Sequence, residues 1–440
     1  MDDDEHGTLS RHEKWRLIAL VLLLAAVSIW FSARFLQPAP SRHLILASGP
    51  AFGLYHQYAQ RYVQALARDG VVVEERMTEG AAENLRLLHD PKSGVDVAFL
   101  QGGIAGVAEA DDLEMLASLY YEPLWVFYRN AVTLTRVNQL QGKRVAVGAL
   151  GSGTRAFVEP MLAFNGIVRS NSTVLQIGGD QAMKSLRNDE IDAVFLVGGA
   201  QTPIIIDAMR DPNLNLLSFD RADAYTRRFP HITKLTLPQG TIDFALGIPA
   251  TEVTLIATKS MLAARQGMHP ALVNLLVDAA GEIHAQQGYF EAAGEFPGFL
   301  PVDIPVSEDA ARHKKFGPSF IHRFLPFWIA TFVERMVILL VPLIVILVPA
   351  INFFPEFLRQ RVRARVYRWY GELALLERDV QTRKPPLPID KWLSDLDRIE
   401  RAAEGVKLPA KLASEGYTLR EHIALVRRAV QAKAALSSTA

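Results

Sequence analysis

Residues 142–154 read Gly-Lys-Arg-Val-Ala-Val-Gly-Ala-Leu-Gly-Ser-Gly-Thr, a short β-branched strand followed by a loop of small residues. Helical periodicity begins after this loop and continues through Phe164. A strand that enters a helix through such a loop predicts the first half of a βαβ unit. The unit is completed by a strand over 174–177, a helix over 181–186 and a strand over 191–196 that ends in Val197-Gly-Gly.

The same order of elements occurs earlier in the chain. A strand over 44–46 enters the small-residue loop 47–53 and a helix that runs through Tyr62; a strand over 71–73, a helix over 83–88 and a strand over 95–100 follow. The repeat predicts a duplicated α/β domain built around a mostly parallel sheet. Because ligands of such sheets bind outside the carboxyl ends of the strands, two facing glycine loops predict a cleft for a small polar solute.

Composition excludes several classes of protein. Lys and Arg number 47 and Asp and Glu number 47, so the chain has no overall basic field for nucleic acid. The absence of Cys excludes disulfides, thiolate zinc sites, Cys nucleophiles and iron–sulfur clusters. The His residues 231, 269, 284, 313 and 322 lack metal-binding spacing, and no nucleophile–base pair stands out. We therefore expect a non-enzyme without metal or cofactor.

Two apolar runs, 17–33 and 336–354, divide the chain. We predict a transmembrane anchor over 17–36 and a second transmembrane helix over 333–354. A cleaved signal peptide is the alternative for the first run, and a buried core helix is the alternative for the second. Arg359, Arg361, Arg363, Arg365 and Arg368 follow the second run and indicate its cytoplasmic side.

This orientation places residues 1–16 and 356–440 in the cytoplasm and residues 42–323 outside. The external segment holds 25 basic and 30 acidic residues, whereas the tail holds 17 and 11. Within the tail we predict helices over 358–380, 389–404 and 418–433, with a break at 384–388. The tail either folds on itself as a helical hairpin, docks to a partner or lies on anionic lipid headgroups.

Four segments carry a resemblance to a known family. Residues 142–154, 190–199 (Glu-Ile-Asp-Ala-Val-Phe-Leu-Val-Gly-Gly), 78–85 (Thr-Glu-Gly-Ala-Ala-Glu-Asn-Leu) and 229–241 are similar to the TAXI family of TRAP-transporter solute receptors. The resemblance implies a two-lobed domain of the type II periplasmic-binding-protein kind, with lobe 1 over about 42–124 and 240–323 and lobe 2 over about 125–239. It further implies a receptor in the bacterial inner membrane that delivers a small organic acid or amino acid from the periplasm to a membrane permease.

The sequence departs from that family at several positions. Only Gly53 and Tyr55 match the usual Gly-Thr-Tyr-Tyr start, Ala81 replaces a Ser, and Gln101-Gly-Gly replaces Gln-Ser-Asp. A hydroxyl and a carboxylate that could contact a solute are missing, so the solute differs or transport has been lost. The alternative function is a solute-sensing regulatory subunit that transmits closure of the lobes through the second span to a cytoplasmic partner.

The candidate ligand-binding residues lie in the loops at the strand ends. We expect the backbone and hydroxyl groups of the second glycine loop to contact the ligand, with Arg155 pairing with a substrate carboxylate. The alternatives are a self-satisfied turn, an exposed Arg and aromatic residues that pack between helix and sheet. Glu79 and Asn84 are expected to cap the following helix. The predicted set is Gly53, Tyr55, His56, Gln101, Gly151, Ser152, Gly153, Thr154 and Arg155.

Overall fold

The computed structural model describes residues 11–35, 38–106, 110–129, 132–384, 386–404 and 413–438. The chain forms two compact units. One unit is Pro38–Val333, and the other combines Met1–Gln37 with Glu334–Ala440. Residues 1–10 of the predicted cytoplasmic N-terminal tail lie outside the described residues.

The unit over 38–333 alternates strands and helices as expected for an α/β domain. Its first part contains β1 (His43–Ala47), α2 (Leu54–Ala67), β2 (Val72–Arg76), α3 (Ala81–His89), β3 (Val97–Gln101), β4 (Leu113–Tyr128), β5 (Arg144–Ala146), α4 (Gly153–Phe164) and β6 (Thr173–Leu175). The remainder contains α5 (Gly179–Arg187), β7 (Ala193–Val197), α6 (Pro203–Arg210), β8 (Asn215–Leu216), α7 (Ala222–Arg228), β9 (Thr233–Leu237), β10 (Val253–Arg265), α8 (Pro270–His284), α9 (Glu308–Phe316) and α10 (Phe320–Phe324).

The strands form one path in the order β2-β1-β3-β10-β4-β7-β5-β6, with β8 beside β4 and β9 beside β10. Strands β1, β2 and β3 are parallel and define lobe 1, while β5, β6 and β7 are parallel and define lobe 2. The two long strands join the lobes. Residues 113–123 of β4 pair with β10, and residues 124–128 pair with β7. Likewise, β10 pairs with β9 of lobe 2 over 253–257 before it reaches β3.

Each sheet is covered by helices on both faces, so each lobe contains two apolar clusters. Tyr62 and Phe99 lie in one cluster of lobe 1, and Leu100 lies on the opposite face of the same sheet. In lobe 2, Phe195 and Val194 separate in the same way. Burial on both faces explains why β3, β7 and β10 are predominantly apolar runs, whereas β2 and β9 alternate between buried and exposed residues.

The second unit contains α1 (Arg11–Phe35), α11 (Phe327–Thr382, of which 334–382 belong to this unit), α12 (Ile389–Glu404) and α13 (Ala413–Ser438). One segment of the described residues, Phe327–Pro349, is long and apolar enough to cross a membrane, with a mean hydropathy of 2.5 over its most apolar window. The apolar part of α1, Val21–Arg34, is shorter than a span. Both transmembrane helices and their orientation therefore stay predictions.

Helix α11 corrects the expectation of a separate tail helix beginning near residue 358. It runs without interruption for 56 residues, through Pro342, Pro349 and Pro355. Each proline removes one backbone hydrogen bond, and the helix nevertheless continues through all three positions. The helix ends at Thr382, next to the predicted break.

The C-terminal tail folds on itself. The last part of α11 packs with α12 and α13 around an apolar core, and Arg427 of α13 pairs with Asp397 at 2.7 Å and with Glu400. Helix α12 has the predicted limits, whereas α13 is longer at both ends than the predicted 418–433. The core consists of Leu373, Leu376, Val380, Trp392, Leu396, Ile399, Leu419, Ile423, Val426 and Val430.

Candidate functional site

A cavity of about 590 Å³ lies between the two lobes. The first residues of five helices line it: Leu54 and Ala81 from lobe 1, and Gly153, Gly179 and Pro203 from lobe 2. The first backbone N–H groups of a helix have no carbonyl partner within the helix, and the helix dipole places partial positive charge there. The walls of the cavity therefore suit an anionic or strongly polar group.

The loop before α4 has its shape because glycine occupies its tight positions. Gly148 has φ +100°, and a Cβ at this position would lie 2.7 Å from Ser152 Oγ and 2.9 Å from the backbone N of Arg155. Ser152 caps the helix, since its Oγ accepts from the N–H of Arg155 at 3.3 Å and donates to the carbonyl of Ala149 at 2.8 Å. The self-satisfied turn that we considered from the sequence is thus present at Ser152.

Six of the nine predicted ligand contacts line the cavity: Gly53, Tyr55, Gln101, Ser152, Gly153 and Thr154. Thr154 Oγ1 accepts from the N–H of Val197 at 3.2 Å, so this hydroxyl retains its own proton for a ligand. A role in ligand binding stays a prediction for all six residues.

The other three predicted residues are engaged elsewhere. His56 Nδ1 lies 2.8 Å from Glu75 Oε1, and Arg155 Nε donates to Glu159 Oε1 at 3.0 Å. Gly151 contributes its carbonyl oxygen to a contact between the lobes. The partner of His56, Glu75, is 19 residues away along the chain and was not recognisable from the sequence. The partner of Arg155, Glu159, lies one helical turn further on, and this i, i+4 spacing could have indicated the pair.

Asn84 does not cap α3, in contrast to the prediction. Its side chain is fully buried, and its Nδ2 donates to the carbonyls of Ser48 at 2.6 Å and Phe99 at 2.8 Å. Its Oδ1 accepts from Thr78 Oγ1 at 2.6 Å. Helix α3 starts after Gly80 without a side-chain cap, and Asn84 instead ties the first glycine loop to β3.

The two lobes touch across the cavity. The N–H of Glu83 in lobe 1 donates to the carbonyl of Gly151 in lobe 2 at 3.2 Å. A Cβ on Gly153 would lie 2.3 Å from Gln101 Oε1 and 3.2 Å from Ala81 Cβ. Glycine at position 153 therefore permits a close approach of the lobes that any side chain would oppose. The lobes are therefore in contact beside the cavity, and we call this arrangement closed.

Glu122 lies at the floor of the cavity and was missed from the sequence. It is 6% exposed and lines the cavity from β4, next to the point where this strand passes from lobe 1 to lobe 2. Tyr55 donates its hydroxyl to Glu122 Oε2 at 3.1 Å, and Tyr120 donates to Oε1 at 3.5 Å. A single acid in the otherwise apolar stretch 115–128 was the signal that could have identified it.

The Glu122 carboxyl lies in an environment that favours its neutral form. Burial raises its pKa to about 8, although the hydrogen bonds from Tyr55 and Tyr120 oppose this rise. Among the described residues, no Lys, Arg or His forms an ion pair with it. Burial therefore favours the protonated form of the carboxyl at the floor of the cavity.

The charged residues at the rim of the cavity differ from Glu122 because they are exposed to solvent. Glu79, Asp180, Lys184, Arg187 and Asp207 line the cavity but are exposed. Arg187 is engaged in an ion pair, since its Nε lies 3.1 Å from an oxygen of Asp211. Water screens the rim charges more than it screens Glu122.

Several solved structures are similar to this chain. The periplasmic aliphatic sulphonate binding protein SsuA from Escherichia coli has 13% identity and a TM-score of 0.37, over 56% of this chain and 69% of that one. The protein Tv2483 bound to L-arginine has 12% identity and a TM-score of 0.37, over 58% and 88%. A histidine kinase sensor domain with similarity to periplasmic binding proteins has 17% identity and a TM-score of 0.36, over 55% and 91%.

A family model gives the firmer relationship. The model of the NMT1-like family matches residues 46–287, which contain both glycine loops and all the predicted ligand contacts. The match covers more than half of the chain. The protein therefore belongs to the NMT1-like family.

Proposed function

We propose that the protein is a membrane-tethered receptor that binds a small organic acid or amino acid by closing two lobes over it. The observation that carries this proposal is the cavity of about 590 Å³ in which five helices begin. A cavity of this size suits a small solute. The receptor breaks no bond in the solute and uses no cofactor.

The closer assignment is to the TAXI kind of TRAP-transporter receptor, which presents its solute to a membrane permease. The segments 142–154 and 190–199, quoted above, support it, because they form the second glycine loop and the strand β7 beside the cavity. The proposal includes the two-lobed organisation of type II periplasmic binding proteins, with lobe 1 over about 42–124 and 240–323 and lobe 2 over about 125–239.

The membrane arrangement is part of this proposal. The segment Phe327–Pro349 crosses the bacterial inner membrane, and only 6% of its most apolar window is buried, which is unlike a core helix. The apolar part of α1 provides the anchor at the other end. The binding domain then lies in the periplasm, and both termini lie in the cytoplasm.

A second candidate function is solute sensing, and one observation favours it. Helix α11 starts on lobe 1, where Phe327 joins the apolar core and Trp328 Nε1 donates to the carbonyl of Asp69 at 2.8 Å. The same helix ends in the core of the tail with Leu376 and Val380. A continuous helix between two packed ends can transmit a change in lobe 1, provided that the solute binds the closed state better than the open one.

Thermal unfolding of the full-length protein in nanodiscs tests solute binding. A solute at 100 times its Kd stabilises the native state by about 2.7 kcal/mol, which corresponds to a rise in Tm of several degrees. We expect at least one organic acid or amino acid to produce this rise. A broad panel of both classes without any stabilisation would contradict the receptor function.

Deletion of residues 356–440 separates transport from sensing. A transport receptor without this tail retains solute binding and uptake. A sensor retains binding but loses the cellular response to the solute. If uptake is unchanged by deletion of the whole gene, the permease-coupled function is refuted.

A further inference from the structure

The cavity floor holds a buried carboxyl without a cationic partner. Glu122 is the one acidic side chain among the described cavity-lining residues that is buried, since Glu79, Asp180 and Asp207 are exposed at the rim. Its two oxygens accept hydrogen bonds from the hydroxyls of Tyr55 and Tyr120. These neutral donors orient the carboxyl without balancing its charge.

A buried charge without a counter-charge is costly, so it either stays neutral or receives a partner. The groups that face Glu122 from the surrounding elements supply no such partner. Tyr55 of α2 and Tyr120 of β4 have hydroxyl groups that can be neutral or negative but not positive. Strand β10 contributes Thr258, which lies opposite Glu122 in the sheet and is uncharged. The basic cavity-lining residues Lys184 and Arg187 are exposed at the rim on α5.

The opposite wall has the complementary polarity. Lobe 2 presents the first turns of α4 and α5, where Gly153, Thr154, Gly179 and Asp180 line the cavity. Ser152 already satisfies the N–H of Arg155, so the preceding N–H groups remain available to an anion. A ligand that spans the cavity thus meets helix N-termini at one end and a carboxyl at the other.

We propose that the Glu122 carboxyl receives a protonated amine of the ligand and releases its own proton to solvent when that amine binds. This inference rests on the proposed receptor function and specifies its ligand class as a zwitterion, such as an amino acid, rather than a simple organic acid. The ammonium group stays charged, the carboxyl becomes a carboxylate, and one proton leaves through the cleft for each ligand bound.

The proposal makes binding depend on pH in a defined direction. Below about pH 8 the carboxyl is protonated in the empty cavity, and the ammonium must displace that proton. The affinity for an amino acid then rises about tenfold per pH unit until the pH reaches the pKa of Glu122, and it levels off above that value. A ligand without an amine shows no such rise.

The experiment measures the binding of matched pairs of small ligands to the full-length protein in nanodiscs. Each standard L-amino acid is compared with the 2-hydroxy acid that has the same side chain. Titration calorimetry in two buffers with different ionisation enthalpies counts the protons released. We expect binding of an amino acid, at least tenfold weaker binding of its hydroxy acid, and release of close to one proton per ligand at pH 6.5.

Two variants test the residue itself. Glu122→Gln preserves the shape of a protonated carboxyl, and we expect it to lose both the proton release and the rise in affinity with pH. Tyr55→Phe removes a donor that stabilises the carboxylate, so the plateau in affinity shifts to higher pH. Glu114→Gln is the matched control, because Glu114 lies on the same strand outside the cavity lining; it should release the same number of protons as the wild type.

The outcomes separate this inference from the receptor function. Tight binding of hydroxy acids, or of amino acids without proton release, overturns the role of Glu122 and leaves the receptor function intact. Unchanged proton release in Glu122→Gln overturns it as well. If neither probe class binds at any pH, the receptor function fails and the inference fails with it.

Discussion

Closure of the cleft can be opposed by a single methyl group at Gly153. In the closed arrangement, a Cβ at this position would lie 2.3 Å from Gln101 Oε1 and 3.2 Å from Ala81 Cβ, both in lobe 1. Gln101 is 4% exposed, so its amide has little room to move away. The backbone of Gly153 lies outside the left-handed region, which means that alanine fits locally.

The expected size of the effect follows from this contact. Overpacking of a tight site costs about 1–3 kcal/mol, and here the cost falls on the closed state alone because the lobes separate in the open state. Each 1.4 kcal/mol changes an equilibrium constant by a factor of about ten. We therefore expect Gly153→Ala to weaken solute binding by about 5- to 150-fold, with little change in the stability of the unliganded protein.

Titration calorimetry of the full-length protein measures the affinity. The chain contains no Cys, so single cysteines at Lys92 in lobe 1 and Ser170 in lobe 2 allow spin labelling at exposed positions and a distance measurement between the lobes. Gly153→Ala should lengthen that distance in the presence of solute. The control is Gly281→Ala, which places its Cβ in open space on α8. Equal affinity and equal distances in Gly153→Ala and the wild type would refute the closure argument.

Three further predictions concern stability. Asn84→Ala leaves the buried carbonyl of Phe99 unpaired and should lower the free energy of unfolding by about 2–4 kcal/mol in urea titrations; a loss below 0.5 kcal/mol would contradict this role. Burial, with a smaller effect of a nearby Arg, lowers the pKa of His284 to about 3, so the unfolded chain alone takes up a proton between pH 6.5 and 3. Stability should fall by about 1.4 kcal/mol per pH unit as the pH drops through this range, and urea titrations of His284→Phe should show a shallower slope. Trp328→Phe loses the hydrogen bond to Asp69 and should cost about 1 kcal/mol, which a matched thermal scan checks; an unchanged Tm would mean that this contact does not hold the start of α11.

Local patterns were sufficient for the elements of the two repeats, but the long strands β4 and β10 were not predicted. Most strands and helices of both repeats occur where periodicity predicted them, within about two residues, because backbone preferences and local apolar patterns act over short distances. The exceptions are α2, which continues five residues past Tyr62, and β2, which continues three residues past Val73. The glycine loop at 148–154 was also predictable, since its positive φ angles at Gly148 and Gly151 require glycine. The uninterrupted continuation of α11 from the predicted helix over 333–354 through Pro355 was not, because the cost of a proline depends on the surroundings of the helix.

The sequence by itself determined the duplicated α/β order, the glycine loops and the apolar segment within α11, since each is a property of neighbouring residues. Only the tertiary structure decided which side chains face the cavity. Glu122 reaches its floor because β4 pairs with β10 on one side of the crossover and with β7 on the other, and these partners lie more than 70 residues away along the chain. For the same reason, Asn84 of α3 binds the carbonyl of Phe99 in β3, and His56 of α2 lies next to Glu75 in β2. Pairing between strands that are distant in sequence determines how deeply a titratable side chain is buried and which residues surround it. Burial and surroundings then determine whether that side chain is charged.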